Sequence, residues 1–214
     1  MAWAFALGSA CFLLGPFPGY ADLVGGTVDA VTFFVGSLLF TTGGGLQTWL
    51  SAGDRHVRPA GRAAWWAAVT QSAGTLFFNV STFHALQTVL SSPDYDRRVW
   101  RPDAFGSICF LVSGVVAYRA SARHGVIPVG GTAGWWQPAV NLLGCVFFGV
   151  AAIAGYLLPA SGSMIDQAAA NWTTSVGAAC FLACALGTLH EHHQRDDPGL
   201  GDLQHGTERG VEAG

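Results

Sequence analysis

Charged residues are scarce in this sequence. Asp, Glu, Arg and Lys together make up 11% of 214 residues, against about 25% in an ordinary soluble domain. With 51% hydrophobic residues and a mean hydropathy of +0.39, the chain reads as an integral membrane protein. Lysine is absent: the ten basic residues are all arginine, and a net charge of −3 leaves no basic footprint for nucleic acid. Catalytic constellations are missing as well. No glycine-rich phosphate loop follows a strand, no Ser/His/Asp set has a scaffold, and no carboxylates pair inside a span, so the sequence points away from an enzyme.

The cysteines are too few and too apolar in setting to staple a fold. Cys11, Cys109, Cys145, Cys180 and Cys184 are odd in number and lie inside apolar segments, which reads as buried thiols. No cofactor is expected, because only His84 falls within a span, whereas a membrane b-type haem commonly takes two facing histidines. As an ionisable group in a membrane segment His84 is a functional candidate by default, but its place near the outer end of its helix favours an interfacial role. His190-Glu191-His192-His193 is not the zinc-protease signature, since Gln194 stands where the second histidine belongs. Together with His205 it reads as part of a solvated tail before it reads as a metal tract. Met1 to Gly15 lack the basic start of a signal peptide and are expected to remain as a mature segment.

What the sequence does contain is six apolar runs, about residues 2 to 20, 28 to 50, 64 to 90, 104 to 121, 135 to 158 and 170 to 190, near the roughly 20 residues a helix needs to cross the hydrocarbon core. The first is interrupted by Gly15-Pro16-Phe17-Pro18-Gly19 and is expected to kink or to span in part. Arginine placement orients the chain. Arg55, Arg58, Arg62, Arg119, Arg123, Arg195 and Arg209 fall on one side, against Arg97, Arg98 and Arg101 on the other, where Asp94, Asp96 and Asp103 balance them in a turn. Basic residues collect on the cytoplasmic side, which places both termini in the cytoplasm of a cell-membrane protein. All eight tryptophans, Trp3, Trp49, Trp65, Trp66, Trp100, Trp135, Trp136 and Trp172, lie at span ends, where an indole prefers the membrane interface.

Every run carries the same mark, a glycine, a small residue and a phenylalanine four places after the glycine: Gly8…Phe12, Gly36…Phe40, Gly74…Phe78, Gly106…Phe110, Gly144…Phe148 and Gly177…Phe181. With 29 Gly and 14 Phe, chance supplies roughly two such pairs, so the pattern reads as an internal repeat. Spans three and four align with five and six at an offset of 70 to 71, through Trp65-Trp66 with Trp135-Trp136 and Gly74 with Gly144. The first pair fits more loosely. The reading is an all-α polytopic membrane protein: a six-helix transmembrane bundle of three two-helix hairpins inserted the same way round, over residues 1–62, 63–124 and 125–190, followed by a disordered polar tail at 191–214. Parallel repeats imply a pseudo-symmetry axis along the membrane normal.

Lipid tails are as apolar as leucine, so helix association in a bilayer relies on close approach at small residues and on interhelical hydrogen bonds. The stripe of Gln71, Gly74, Phe78 and Asn79, and that of Asn141, Gly144 and Phe148, therefore read first as helix-packing faces and second as a pore lining. The segments Val35-Gly36-Ser37-Leu38-Leu39-Phe40, Leu76-Phe77-Phe78-Asn79-Val80-Ser81-Thr82 and Trp100-Arg101-Pro102-Asp103-Ala104-Phe105-Gly106-Ser107-Ile108-Cys109-Phe110 resemble the YrhK-like membrane proteins, a family of two-helix hairpins also found in longer actinobacterial chains. That resemblance implies a multi-pass membrane protein and brings no catalytic residues. The expected role is structural or accessory, with the lipid bilayer and either a second copy or another membrane protein as partners. The alternative is a small channel or facilitator for a neutral solute.

Overall fold

The computed structural model describes residues 1–57, 59–87, 89–122 and 136–196, the side chains of 194–196 excepted. Trp135, Arg58, Arg123, His205 and Arg209, named above, lie outside the described residues, as does the tail from 197. The described chain is helical: α1 (Ala2–Leu14), α2 (Tyr20–Val24), α3 (Gly26–Ser51), a 3₁₀ turn (Asp54–His56), α4 (Pro59–Ala85), α5 (Ser92–Tyr95), a π turn (Asp96–Trp100), α6 (Arg101–Ser121), α7 (Trp136–Ala154) and α8 (Gln167–Asp196). Four helical segments are long and apolar enough to cross a membrane: Gly26–Ser51, Ser92–Ser121, Trp136–Ala154 and Gln167–His193.

Local chemistry sets the boundaries. Helix α1 stops where Pro16 and Pro18 withhold backbone donors, and Gly19 takes a φ of 85° that favours glycine. Its 13 residues cover about 20 Å, less than the ~30 Å of the hydrocarbon core. Helix α4 has the length, at 27 residues, but Gln71, Asn79 and several hydroxyl residues make it more polar than the four. Two expectations are corrected. The charged turn at 94 to 103 is helical: Ser91 caps α5 by accepting from the Asp94 amide at 3.3 Å, and the π turn carries the chain straight into α6. Within it Arg98 pairs with Asp94 at 3.5 Å and Arg101 with Asp96 at 2.8 Å, as self-pairing requires. The polar tail begins later than expected, because α8 runs through His190-Glu191-His192-His193 to Asp196, with Glu191 accepting from Gln137 at 3.2 Å.

Each of the six long helices packs against two others in the order α1, α3, α4, α6, α7, α8 and back to α1, which closes a ring. Large apolar side chains point outward, among them Leu7, Val35, Leu76, Phe105, Val146 and Val176. Small residues point inward. That distribution suits a lipid environment, where burying leucine gains little and small residues allow helices to touch.

The repeated motif makes those contacts. A Cβ on Gly8 would stand 3.0 Å from the Gly36 carbonyl oxygen, one on Gly106 3.0 Å from that of Gly74, and one on Gly177 3.1 Å from that of Gly144. In return, a Cβ on Gly36, Gly74 or Gly144 would stand 2.8, 3.0 or 3.1 Å from the Cβ of Cys11, Cys109 or Cys180. The residue after each glycine, Ser9, Ser37, Thr75, Ser107, Cys145 or Ala178, is at most 3% exposed. Interhelical hydrogen bonds add to the approach: Ser37 with Thr82 at 2.8 Å, Thr48 with Ser72 at 2.8 Å, and Ser113 donating to the Ala67 carbonyl at 2.8 Å.

Replacing Gly177 with alanine brings a Cβ to 2.6 Å from the Phe148 ring, whereas a Cβ on Gly45 meets nothing within 4 Å. Gly177→Ala is expected to cost about 1–3 kcal/mol through overpacking and to lower the melting temperature in detergent or nanodiscs. Gly45→Ala is expected to leave it unchanged or raise it. Equal melting of the two variants would contradict the packing role of the motif.

Candidate functional site

The six motif phenylalanines meet on the axis of the ring in two triangles. Phe12, Phe78 and Phe148 form one, with centroid separations of 6.5 Å (Phe12–Phe78), 5.9 Å (Phe12–Phe148) and 5.9 Å (Phe78–Phe148). Phe40, Phe110 and Phe181 form the other, at 6.5 Å (Phe40–Phe110), 6.0 Å (Phe40–Phe181) and 5.7 Å (Phe110–Phe181). Within each helix pair the two layers touch, at 5.6 Å for Phe12 and Phe40, 5.0 Å for Phe78 and Phe110, and 5.3 Å for Phe148 and Phe181. All six rings are buried in one cluster with Cys145 and Ala178. The separations lie in the range where aromatic pairs attract beyond simple burial. The plug is apolar and closely packed.

On one side of the plug lies a vestibule of about 430 Å³ whose floor includes Phe40 and Phe181. It occupies the end of the ring where α1, α4 and α7 begin and α3, α6 and α8 end. Its collar follows a rule: on each helix, the residue two turns from the plug phenylalanine, seven positions away, lines it. Those residues are Phe5, Gln71 and Asn141 before Phe12, Phe78 and Phe148, and Gln47, Ala117 and Thr188 after Phe40, Phe110 and Phe181. Gln137 adds a fourth amide, while alanines, among them Ala64, Ala67 and Ala185, make up much of the remaining wall. Asp, Glu, Arg and His are absent from the described lining.

Gln71, which the sequence placed on one stripe with Asn79, separates from it, while Asn141 lies on the corresponding stripe of its own helix. Gln71 lines the vestibule with its Oε1 3.5 Å from the Ser113 hydroxyl, and Asn141 lines it near the Cys145 sulfur at 3.9 Å. Asn79 follows Phe78 by one residue, about 100° round the helix, and faces α3, where its amide nitrogen donates to Thr41 Oγ1 at 2.9 Å. It shares a shallow lateral pocket with Phe34, Leu38, Val80, Phe83 and His84. Gly74 and Gly144 are packing residues against the Phe110 and Phe181 rings. Gln47, Gln137 and Thr188 were not singled out from sequence. The seven-residue spacing from each motif phenylalanine would have found Gln47 and Thr188, whereas Gln137 lies outside that rule.

The chemistry open to this arrangement is binding by hydrogen bonds and aromatic contact. Among the described residues no group of three His, Cys, Asp or Glu side chains could hold a metal, and the five cysteines are free thiols. On the other side of the plug neighbouring helices are tied to one another: Ser107 donates to the Phe148 carbonyl at 3.3 Å, Ser175 to that of Leu13 at 3.3 Å, and the Trp100 indole to that of Ala152 at 2.8 Å.

Phe110→Ala, at a site 1% exposed, is expected to destabilise the bundle by about 3–5 kcal/mol through the cavity it leaves, whereas Phe105→Ala on the lipid-facing surface is expected to cost far less. Thermal denaturation of the two variants side by side checks this, and comparable losses would contradict the plug's structural role. Comparison of the chain with protein-family models, curated proteins and solved structures gives no match.

Proposed function

We propose that the chain is a structural or accessory component of the cell membrane without catalysis of its own, a six-span bundle of three two-helix hairpins with both termini in the cytoplasm. The observation that carries this reading is the pair of phenylalanine triangles, which blocks the bundle axis with apolar side chains. The repeat reading draws support from the same place. Helices α1, α4 and α7 supply one triangle and α3, α6 and α8 the other, as three hairpins inserted the same way round would require. In the first hairpin the two glycines exchange roles, since the glycine that nests on its partner's carbonyl is on the leading helix. That exchange accompanies the looser sequence offset of the first pair. A two-helix unit also agrees with the resemblance to the YrhK-like hairpins. Arg55, Arg62 and Arg119 lie towards the vestibule end and Arg97, Arg98 and Arg101 towards the other, which supports a cytoplasmic vestibule.

A facilitator for a neutral solute is the second reading, and the uncharged collar of Gln47, Gln71, Asn141 and Thr188 favours it. It requires both triangles to part during transport. Stopped-flow light scattering of proteoliposomes with glycerol and urea separates the two. The accessory reading expects the rates of empty liposomes. Flux above that baseline, abolished by Ala64→Trp in the vestibule wall, would overturn it in favour of the facilitator.

A further inference from the structure

We infer that the vestibule is a binding site for a small neutral molecule with a flat apolar body and an amide-like polar head. The volume, about 430 Å³, lies within the range of roughly 300–1,000 Å³ typical of small-molecule sites. The body has a place to lie: Phe40 and Phe181, buried but for 4% and 5% of their surface, close the floor and the half-buried Phe5 flanks it, while alanines line the gap between helices. The head meets a defined set of partners. The Gln71 amide brings N–H groups to donate, its Oε1 standing 3.5 Å from a Ser113 hydroxyl whose proton goes to the Ala67 carbonyl, and the Gln137 Nε2 already donates to Glu191, which leaves its carbonyl oxygen to accept. Asn141, Gln47 and Thr188 surround the same space. A primary amide, donor and acceptor on one carbon, complements that pair.

Charge is selected against. No acidic or basic side chain lines the described cavity, and a bundle of apolar helices surrounds it. An ion entering would lose hydration and meet no charged side chain in the lining, the amino terminus being carried by Met1 among the lining residues and the Glu191 carboxylate being engaged by Gln137, whereas a neutral amide exchanges its water hydrogen bonds for those of the side chains. Water alone could solvate the collar. The aromatic floor below four amides is what favours an amphipathic occupant over water. The inference is independent of whether the plug ever opens, because binding needs only one face.

The test uses the full chain in lipid nanodiscs, with 4-fluorobenzamide as the probe and fluorine NMR as the readout, against empty nanodiscs. The expected result is saturable binding beyond partition into the lipid, weakened at least about tenfold in Gln71→Leu, the scale of one lost hydrogen-bonding group. 4-Fluorobenzoate and 4-fluorobenzylamine, of the same shape but charged, are expected to bind at least about tenfold more weakly. Ala64→Trp fills the vestibule without removing a hydrogen bond, is expected to abolish binding, and carries the test should Gln71→Leu fold poorly. Signal changes no larger than in empty nanodiscs, equal binding of the charged analogues, or undiminished binding to folded Ala64→Trp would each overturn the proposal. Binding without solute flux leaves the accessory reading standing, and flux without binding of the probe removes this inference alone.

Discussion

Helices in a bilayer gain little from burying leucine against one another, because the lipid they leave is as apolar as the neighbour they meet. The fold depends on how this chain answers that constraint. At the middle of each long helix a glycine and a second small residue let two backbones approach until a carbonyl oxygen stands about 3 Å from where a Cβ would be. Dispersion at that distance and the interhelical bonds of Ser37, Ser72 and Ser113 do the holding. The phenylalanine one turn beyond each glycine is then carried onto the axis, and six of them fill the space that six helices in a ring would otherwise leave empty.

The plug and the vestibule are two consequences of that one spacing. Placing a phenylalanine on the axis at a given depth also places, two turns away, whatever residue stands seven positions off. On one side of the plug the chain puts Gln47, Gln71, Asn141 and Thr188 at those positions. On the other side Ser107, Ser175 and Trp100 donate to main-chain carbonyls of neighbouring helices. The result is a bundle with an amide-lined opening at one end and an apolar, closely packed centre. Such an asymmetry suits a protein that holds something from one side of the membrane better than one that passes it across.

Much of this was legible in the residues. Scarce charge gave the membrane environment, and the glycine–phenylalanine spacing marked the packing faces that the helices use. The break at Gly15 to Gly19 marked where the first helix ends. What was not legible followed from rotation and ring order, which no single helix encodes. Asn79 sits beside Phe78 in sequence, yet one residue of helical rotation turns it off the axis towards Thr41. Gln71 and Asn141 appear on separate stripes, and only closure of the ring brings them round one cavity with Gln47. The helical turn at Asp94 to Trp100 was hidden because its charges, read singly, look like a loop, whereas their pairing at 2.8 and 3.5 Å runs along a helix.

The central claim is that the axis is dry at the phenylalanine triangles and wet at the amide collar. Water-edited solid-state NMR of the protein in lipid bilayers, with carbon-labelled phenylalanine and nitrogen-labelled side-chain amides, measures both together. The account predicts rapid magnetisation transfer from water to the amides of Gln71 and Asn141 and none above background to the rings of Phe78, Phe110 and Phe148. Transfer to those rings at rates matching the amides would mean that water crosses the centre, and would contradict it.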